Sequence, residues 1–301
     1  MEISLHSTYP GHSNPVYAVT SSLFHPVFYS AGNDKGIVEW GFDHILPLKL
    51  LQPVPASVYT MKIEETTRSL FAGLRNGRIL HFGLEEGKLL RHFGHSTAGI
   101  FDLELIRSKK ELLAADENGL VSVWNFSGDL LHKWQASREK IRAMAIFPEK
   151  DLLAIGCNEG IIRLYDLRDF SPLHEFRAHS MGVTSLAFSA EGDRLFSGSR
   201  DAHLKVWDLG NYSALSDFAA HYFSIYKILF HPQKPVFATV SRDKSFKIWD
   251  ANEYRLLKNI SAEKGYPSHR LSVNDACWAE NGSRFITVGD DKMVLSWDVS
   301  F

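Results

Sequence analysis

A histidine, a hydroxyl residue and an aspartate recur at fixed separations along this 301-residue chain. Four sets stand out: His12, Ser30 and Asp34; His179, Ser197 and Asp201; His221, Thr239 and Asp243; and His269, Thr287 and Asp291. Ser, His and Asp are the constituents of a hydrolytic triad, in which the imidazole takes the hydroxyl proton and the carboxylate orients the imidazole. Here, however, a tryptophan follows each hydroxyl by ten residues, at Trp40, Trp207, Trp249 and Trp297. An indole N–H aimed at the hydroxyl occupies the would-be nucleophile, and four copies at equivalent places argue for a structural device. No catalytic residue is assigned, and the protein is not expected to be an enzyme. Indole, hydroxyl, imidazole and carboxylate joined in one buried chain also explain why each set is whole, since a half-satisfied network costs more than none.

Other chemistry is sparse. The sequence contains no GxxxxGK, HExxH, paired CxxC or Gly-x-Ser-x-Gly pattern, so neither a metal nor a cofactor is expected. The serines of FSGSR, residues 196–200, have a simpler explanation as a strand end and turn. Cys157 and Cys277 are too few for a disulfide framework and sit in the apolar segments LAIGC and NDACW, as buried thiols do. The opening residues MEISLHSTYPGH lack a basic stretch followed by an apolar one, and no run of eighteen apolar residues occurs. The expectation is a cytoplasmic chain, with the nucleus left open and no membrane partner. NFS, NYS, NIS and NGS match the glycosylation pattern but carry no weight in that setting. With 33 basic and 35 acidic side chains, net charge −2, no global field draws the chain to nucleic acid, and direct binding of it is not expected.

The elements that must position these residues follow from a repeat. An aromatic residue closes a short apolar strand at Trp40, Phe82, Trp124, Tyr165, Trp207, Trp249 and Trp297, spaced by 42, 42, 41, 42, 42 and 48 residues. Six positions earlier stands Asp34, Asn76, Asn118, Glu159, Asp201, Asp243 or Asp291, inside turn-rich stretches such as GNDKG and SRDAH. Each unit reads as four short strands, for example LHEFR, VTSLAFS, RLFSGS and LKVWDL, with no helix-length amphipathic run. Seven such units predict an all-β fold, a seven-bladed β-propeller of four-stranded antiparallel blades forming one domain over residues 1–301. The 45% hydrophobic composition supplies the core.

Only four residues follow Trp297, so the seventh unit needs a fourth strand from elsewhere. Ile3 and Leu5 alternate with polar neighbours, and residues 2 to 7 are expected to pair with the blade ending at Trp297. Closure removes two exposed strand edges, so deleting residues 1 to 8 is expected to destabilise the whole protein.

With GH at Gly11-His12 and Gly94-His95, and WD at Trp207-Asp208, Trp249-Asp250 and Trp297-Asp298, the chain resembles the WD-repeat (tryptophan-aspartate repeat) β-propeller family over essentially its whole length. The sets His12/Ser30/Asp34/Trp40, His179/Ser197/Asp201/Trp207, His221/Thr239/Asp243/Trp249 and His269/Thr287/Asp291/Trp297 resemble that family's structural tetrad. Units two, three and four are incomplete, and His95 lacks a hydroxyl at its partner position, Ala114. The resemblance implies that the loops before each first strand, together with the turns between the second and third strands, ring a central channel on one face. Those positions bring Tyr17, Tyr59, Phe101 and Tyr226 together with Arg75, Arg142, Arg200 and Arg242, and Lys140 adds to the basic side. Arginine and tyrosine anchor interfaces through bidentate hydrogen bonds and rigid contact area, and this side suits an acidic or phosphorylated partner segment. Against this, the arginines could pair with neighbouring carboxylates and the aromatics could pack on one another.

The expected function is a non-catalytic interaction scaffold for protein or peptide partners, a monomeric propeller alone or within a larger complex. An obligate architectural subunit and an enzyme with a channel-mouth site are the alternatives. A substrate receptor of a ubiquitin ligase is a third, since YDLR at Tyr165 to Arg168 is similar to the WD-x-R ending of such receptors but has Tyr165 in place of Trp. The surplus before Trp297, around SAEKGYPSHRL, reads as an extended loop offering Lys264, Tyr266 and Arg270 as a further contact site.

Overall fold

A computed structural model describes residues 1–23 and 25–301 as seven four-stranded antiparallel sheets set as blades around a channel. The blades follow chain order, each running from an innermost strand a to an outermost strand d. Blade one comprises Val16–Ser21, Val27–Gly32, Gly36–Gly41 and Lys49–Pro53. Blade seven takes a, b and c from Val273–Ala279, Arg284–Gly289 and Val294–Ser300, and its d strand is Glu2–Tyr9. Among the described residues the helical segments are four 3₁₀ turns, and no helix is long and apolar enough to cross a membrane.

The amino-terminal strand closes the ring, pairing from Glu2 opposite Ser300 to Tyr9 opposite Val294 with one irregularity at His6. It runs two residues past the expected end at residue 7, and Tyr9 gives the reason. Its ring is wholly buried, edge-on to Phe28 and Trp40 of blade one with centroids 5.0 and 5.5 Å apart. Its hydroxyl donates to the Phe42 carbonyl at 3.0 Å. Tyr9 thus ties the borrowed strand of the last blade to the first.

The core lies between blades. Seven buried apolar clusters form, one for each pair of neighbours; Phe28, Trp40, Ile286 and Val288 fill the seam where blade one meets blade seven. Covering both faces of every sheet requires apolar side chains on both sides of the b strands, and Ser69–Leu74 and Val236–Ser241 are buried at every residue. Outer strands face water and keep exposed leucines such as Leu130, Leu173 and Leu215.

Every a strand carries one β-bulge near its start, where the register with strand b skips a single residue. The skipped residues are Tyr17, Tyr59, Phe101, Arg142, Thr184, Tyr226 and Asn274. A bulge frees its extra residue from the ladder and re-aims that side chain.

Candidate partner-binding face

The loops of this face are anchored by the recurrent polar sets. In blade one Trp40 Nε1 donates to Ser30 Oγ at 2.7 Å, His12 Nε2 lies 2.7 Å from that oxygen, and His12 Nδ1 is 2.6 Å from Asp34. Blade five repeats this with Trp207, Ser197 and His179 at 2.8 Å and Asp201 at 3.1 Å; blades six and seven do so through Thr239 and Thr287. An indole only donates, so the hydroxyl proton is free to go to Nε2 while Nδ1 faces the carboxylate. The hydroxyls of Ser30, Ser197, Thr239 and Thr287 belong to residues with no exposed surface, beyond the reach of any substrate. Burial alone would raise the carboxyl pKa values. The hydrogen bond and electrostatic pull of each histidine, with backbone N–H donors, instead hold Asp34, Asp201, Asp243 and Asp291 below the ordinary range.

Blade three corrects one expectation: His95 does have a hydroxyl partner. Ser122 on strand c, directly across the ladder from Ala114, lies 2.5 Å from His95 Nδ1 and accepts the Trp124 indole N–H at 2.7 Å. Nε2 of His95 then faces Asp116 at 3.3 Å, both side chains fully buried. Blade four has no histidine here. Ser137 donates to Glu159 at 3.1 Å, and Arg163, across the ladder from Ile155, donates to Glu159 at 2.9 Å and to Cys157 Sγ at 2.8 Å. In blade two Val54, Ala72 and Phe82 make the place apolar.

Above these anchors the bulge residues meet at the channel mouth. Tyr17 packs edge-on to Tyr59 at 5.7 Å, Tyr59 stacks on Phe101 at 5.4 Å, and the Arg142 guanidinium lies 4.2 Å over the Phe101 ring. Aromatics on three successive blades therefore do pack on one another and end on a cation. Burial pulls Arg142 below its ordinary pKa and the Arg200 charge pulls the same way, while Tyr226 opposes them; the guanidinium remains cationic, and its buried Nε has no hydrogen-bond partner. The polar bulge residues latch the neighbouring blade: Thr184 donates to the Ile225 carbonyl at 2.5 Å, and Asn274 to the Val16 carbonyl at 2.9 Å.

Arg75, Arg200 and Arg242 are exposed and Arg142 half-buried. Among the described residues no carboxylate oxygen lies within 4.0 Å of any of the four, so they do not pair with neighbouring acids. Lys140 differs, since it forms an ion pair with Glu117 and its charge is offset. The channel encloses about 730 Å³, and Tyr17, Tyr59, Arg75, Phe101, Arg142 and Tyr226 line it; Arg200, Arg242 and Lys140 stand outside that lining.

Deeper in the channel the residue after each bulge also matters, a recurrence that the motifs do not reveal. Asp102, Ser185 and Asp275 each accept a backbone N–H from the next blade, from Met144 at 2.7 Å, Ile228 at 2.6 Å and Val19 at 3.0 Å. Repeats of about 42 residues run through these positions, and the polar types among Ala18, Thr60, Asp102, Ala143, Ser185, Lys227 and Asp275 were the available signal. Lys62 pairs with Glu104 at 2.9 Å and Lys227 with Asp275 at 3.5 Å. Burial pushes Asp102 up to about 6, against the pull of Lys62. Burial likewise pushes the Cys157 thiol up to about 11 and raises Cys277, so both are protonated at neutral pH. Among the described residues no three His, Cys, Asp or Glu side chains are grouped to hold a metal. Arg168 of YDLR turns back onto Asp166 at 2.5 Å, and Tyr266 of the long loop packs against the blade-seven core.

The sequence pattern of the family described as "WD domain, G-beta repeat" matches residues 3–40, 170–208, 213–250 and 261–298, just over half of the chain. The chain belongs to the WD-repeat family. The matched repeats of this WD-repeat protein are those of blades one, five, six and seven, which carry the complete tetrads. Over 124 residues the chain is 29% identical to dynein axonemal intermediate chain 4 of Homo sapiens, covering 39% of this chain and 14% of that protein. The Rattus norvegicus protein of the same description is 30% identical over 121 residues, 39% of this chain and 15% of its own length. This WD-repeat chain thus matches a small part of the length of those relatives.

Proposed function

We propose that this propeller is a non-catalytic scaffold, acting in the cytoplasm, that takes protein or peptide partners on the channel-mouth face. The observation that carries this is the stacked aromatic series that ends on Arg142, with Arg75 in the same channel lining and Arg200 and Arg242 exposed beyond it, all four without a carboxylate partner among the described residues. Desolvated arginine and tyrosine supply most of the energy in typical interfaces, and unpaired guanidiniums favour acidic or phosphorylated segments. The tetrads offer no competing hydrolytic site, because their hydroxyls are buried and held by indoles. The test is quantitative affinity purification with wild type and with Arg75→Glu combined with Arg200→Glu, after confirming equal melting temperatures. Loss of the principal partners is expected; retention of every partner at unchanged affinity would refute the proposal.

One observation favours a second reading, an architectural subunit held by its outer rim. Ile45, Leu46, Leu48 and Leu50 of blade one are all exposed within six residues, and the relatives named above are described as dynein intermediate chains. Native mass measurement of the protein purified from its source distinguishes a stable assembly from a free propeller.

A further inference from the structure

One position on the channel-mouth face divides the ring into unlike halves. The backbone N–H of the residue before each b–c turn acid or amide bonds to the preceding loop: Asn33 to Pro15, Arg75 to Ser57, Glu117 to Gly99, Asn158 to Lys140, Arg200 to Gly182, Arg242 to Ser224 and Asp290 to Ser272. These bonds fix the structural equivalence of the residues just before the acceptors. In blades one to four those residues are Asn14, Ala56, Ala98 and Glu139, small or polar. In blades five to seven they are Met181, Phe223 and Leu271, exposed by 44%, 56% and 48%. Tyr222, next to Phe223, is 85% exposed.

A single exposed apolar side chain needs no explanation. Three at one structural position on three consecutive blades form an arc of exposed apolar side chains that the other four blades lack. The acids beside it, Asp201, Asp243 and Asp291, are already engaged by His179, His221 and His269 and by the backbone N–H groups of Ser180, Tyr222 and Arg270, which leaves cations as the unpaired charges. Arg200 and Arg242 are bonded through their backbones to the residues directly after Met181 and Phe223, and the Arg242 guanidinium lies 5.9 Å from the Phe223 ring. Lys247 lies 6.0 Å from the Tyr222 ring, and Arg270 adjoins Leu271. The one acid in the series here, Asp290, already accepts from Asn274 at 2.8 Å. On the opposite side Glu117 and Glu159 are engaged by Lys140 and Arg163.

We infer that the arc on blades five to seven is the docking site for a short extended peptide that carries carboxylates between bulky apolar side chains. Aliphatic or aromatic groups of the peptide cover Met181, Phe223 and Leu271 while its acids meet Arg200, Arg242 and Arg270. A phosphate without apolar neighbours would satisfy the arginines and leave the arc in water. The inference rests on the reading of this face as the partner-binding one, and narrows it to half the ring and to an amphipathic acidic ligand.

Selection of a displayed library of random twelve-residue peptides on the full-length protein tests it, with the winning peptide measured by fluorescence anisotropy. Sequences that alternate Asp or Glu with Leu, Ile, Phe or Met are expected. The triple variant Met181→Ser, Phe223→Ser, Leu271→Ser should weaken binding about tenfold or more, and Arg200→Glu with Arg242→Glu similarly. Failure to enrich any peptide, enrichment of basic or non-apolar sequences, or unchanged affinity in the triple variant would overturn the inference. If the winning peptide ignores the triple variant but is lost on Arg75→Glu with Arg142→Gln, the face stands as partner-binding and the arc does not. If neither set matters, both fall.

Discussion

Blades one, five, six and seven tie their loops with the same four side chains, while blades two, three and four meet the same mechanical need in three other ways. Blade three moves the hydroxyl one strand across, to Ser122, and turns the imidazole to suit. Blade four replaces imidazole by the Arg163 guanidinium bridging Glu159 and Cys157. Blade two replaces imidazole, hydroxyl and indole by apolar Val54, Ala72 and Phe82 and keeps only Asn76 at the turn. The contrast teaches that the fold asks for a tied loop at this place rather than for particular residues, and that different donor and acceptor sets, or apolar packing, supply the tie. It also coincides with a difference on the surface, because three of the four complete blades bear the exposed apolar arc.

The comparison can be broken most severely by taking from blade seven its borrowed strand while leaving its tetrad intact. Removal of residues 1–9 takes away Tyr9 and the pairing with Val294–Ser300, and should cost about 5 kcal/mol or more in thermal or denaturant unfolding. A truncated protein that melts like the full chain would show that the tetrad suffices.

Acidification comes next. His81 of blade two is stacked on Phe71 at 4.4 Å, and burial pushes its pKa from 6.5 down to about 4. The unfolded chain takes up that proton below about pH 6.5 while the folded one resists it to about pH 4, so stability falls as pH falls through this window. The tetrad aspartates, depressed in the fold, add a further loss only below their unfolded value of 3.8. His81→Gln should flatten the upper window by on the order of 3 kcal/mol, as read from melts at successive pH values.

Smaller effects sharpen the contrast among blades. His179→Ala should destabilise by about 1 to 3 kcal/mol, and His95→Ala by about 1 kcal/mol, because Ser122 keeps the Trp124 indole N–H and Asp116 keeps the backbone N–H groups of Asn118 and Leu120. Ser137→Ala, which leaves Glu159 still bonded to Arg163, should cost less than about 1 kcal/mol. Denaturant titrations of the three variants measure the order, and a negligible effect at His95 would remove blade three from the networked class.

The period, the seven blades, the borrowed strand and the four tetrads were legible in the sequence, because a buried hydrogen-bond network restricts residue type at fixed spacing. The convergence of Tyr17, Tyr59 and Phe101 was what the family resemblance implied for those positions. What spacing could not show was where a substitute crosses the ladder, as Ser122 does, since the recurrence of hydroxyls on strand b says nothing of their neighbours on strand c. Nor did it show that Glu117 engages Lys140, or that the strand from Glu2 continues past residue 7 to Tyr9, which depends on packing against Phe28 and Trp40 from another blade.

The channel-mouth face as the seat of the partner is tested most directly by hydrogen exchange of the free protein and of its complex with the principal partner recovered by affinity purification. Slowed exchange is predicted in the segments around 56–59, 74–76, 180–184, 199–201, 222–226 and 241–243. Protection confined to the outer strands, around 45–53 and 88–91, with this face unchanged, would contradict the account.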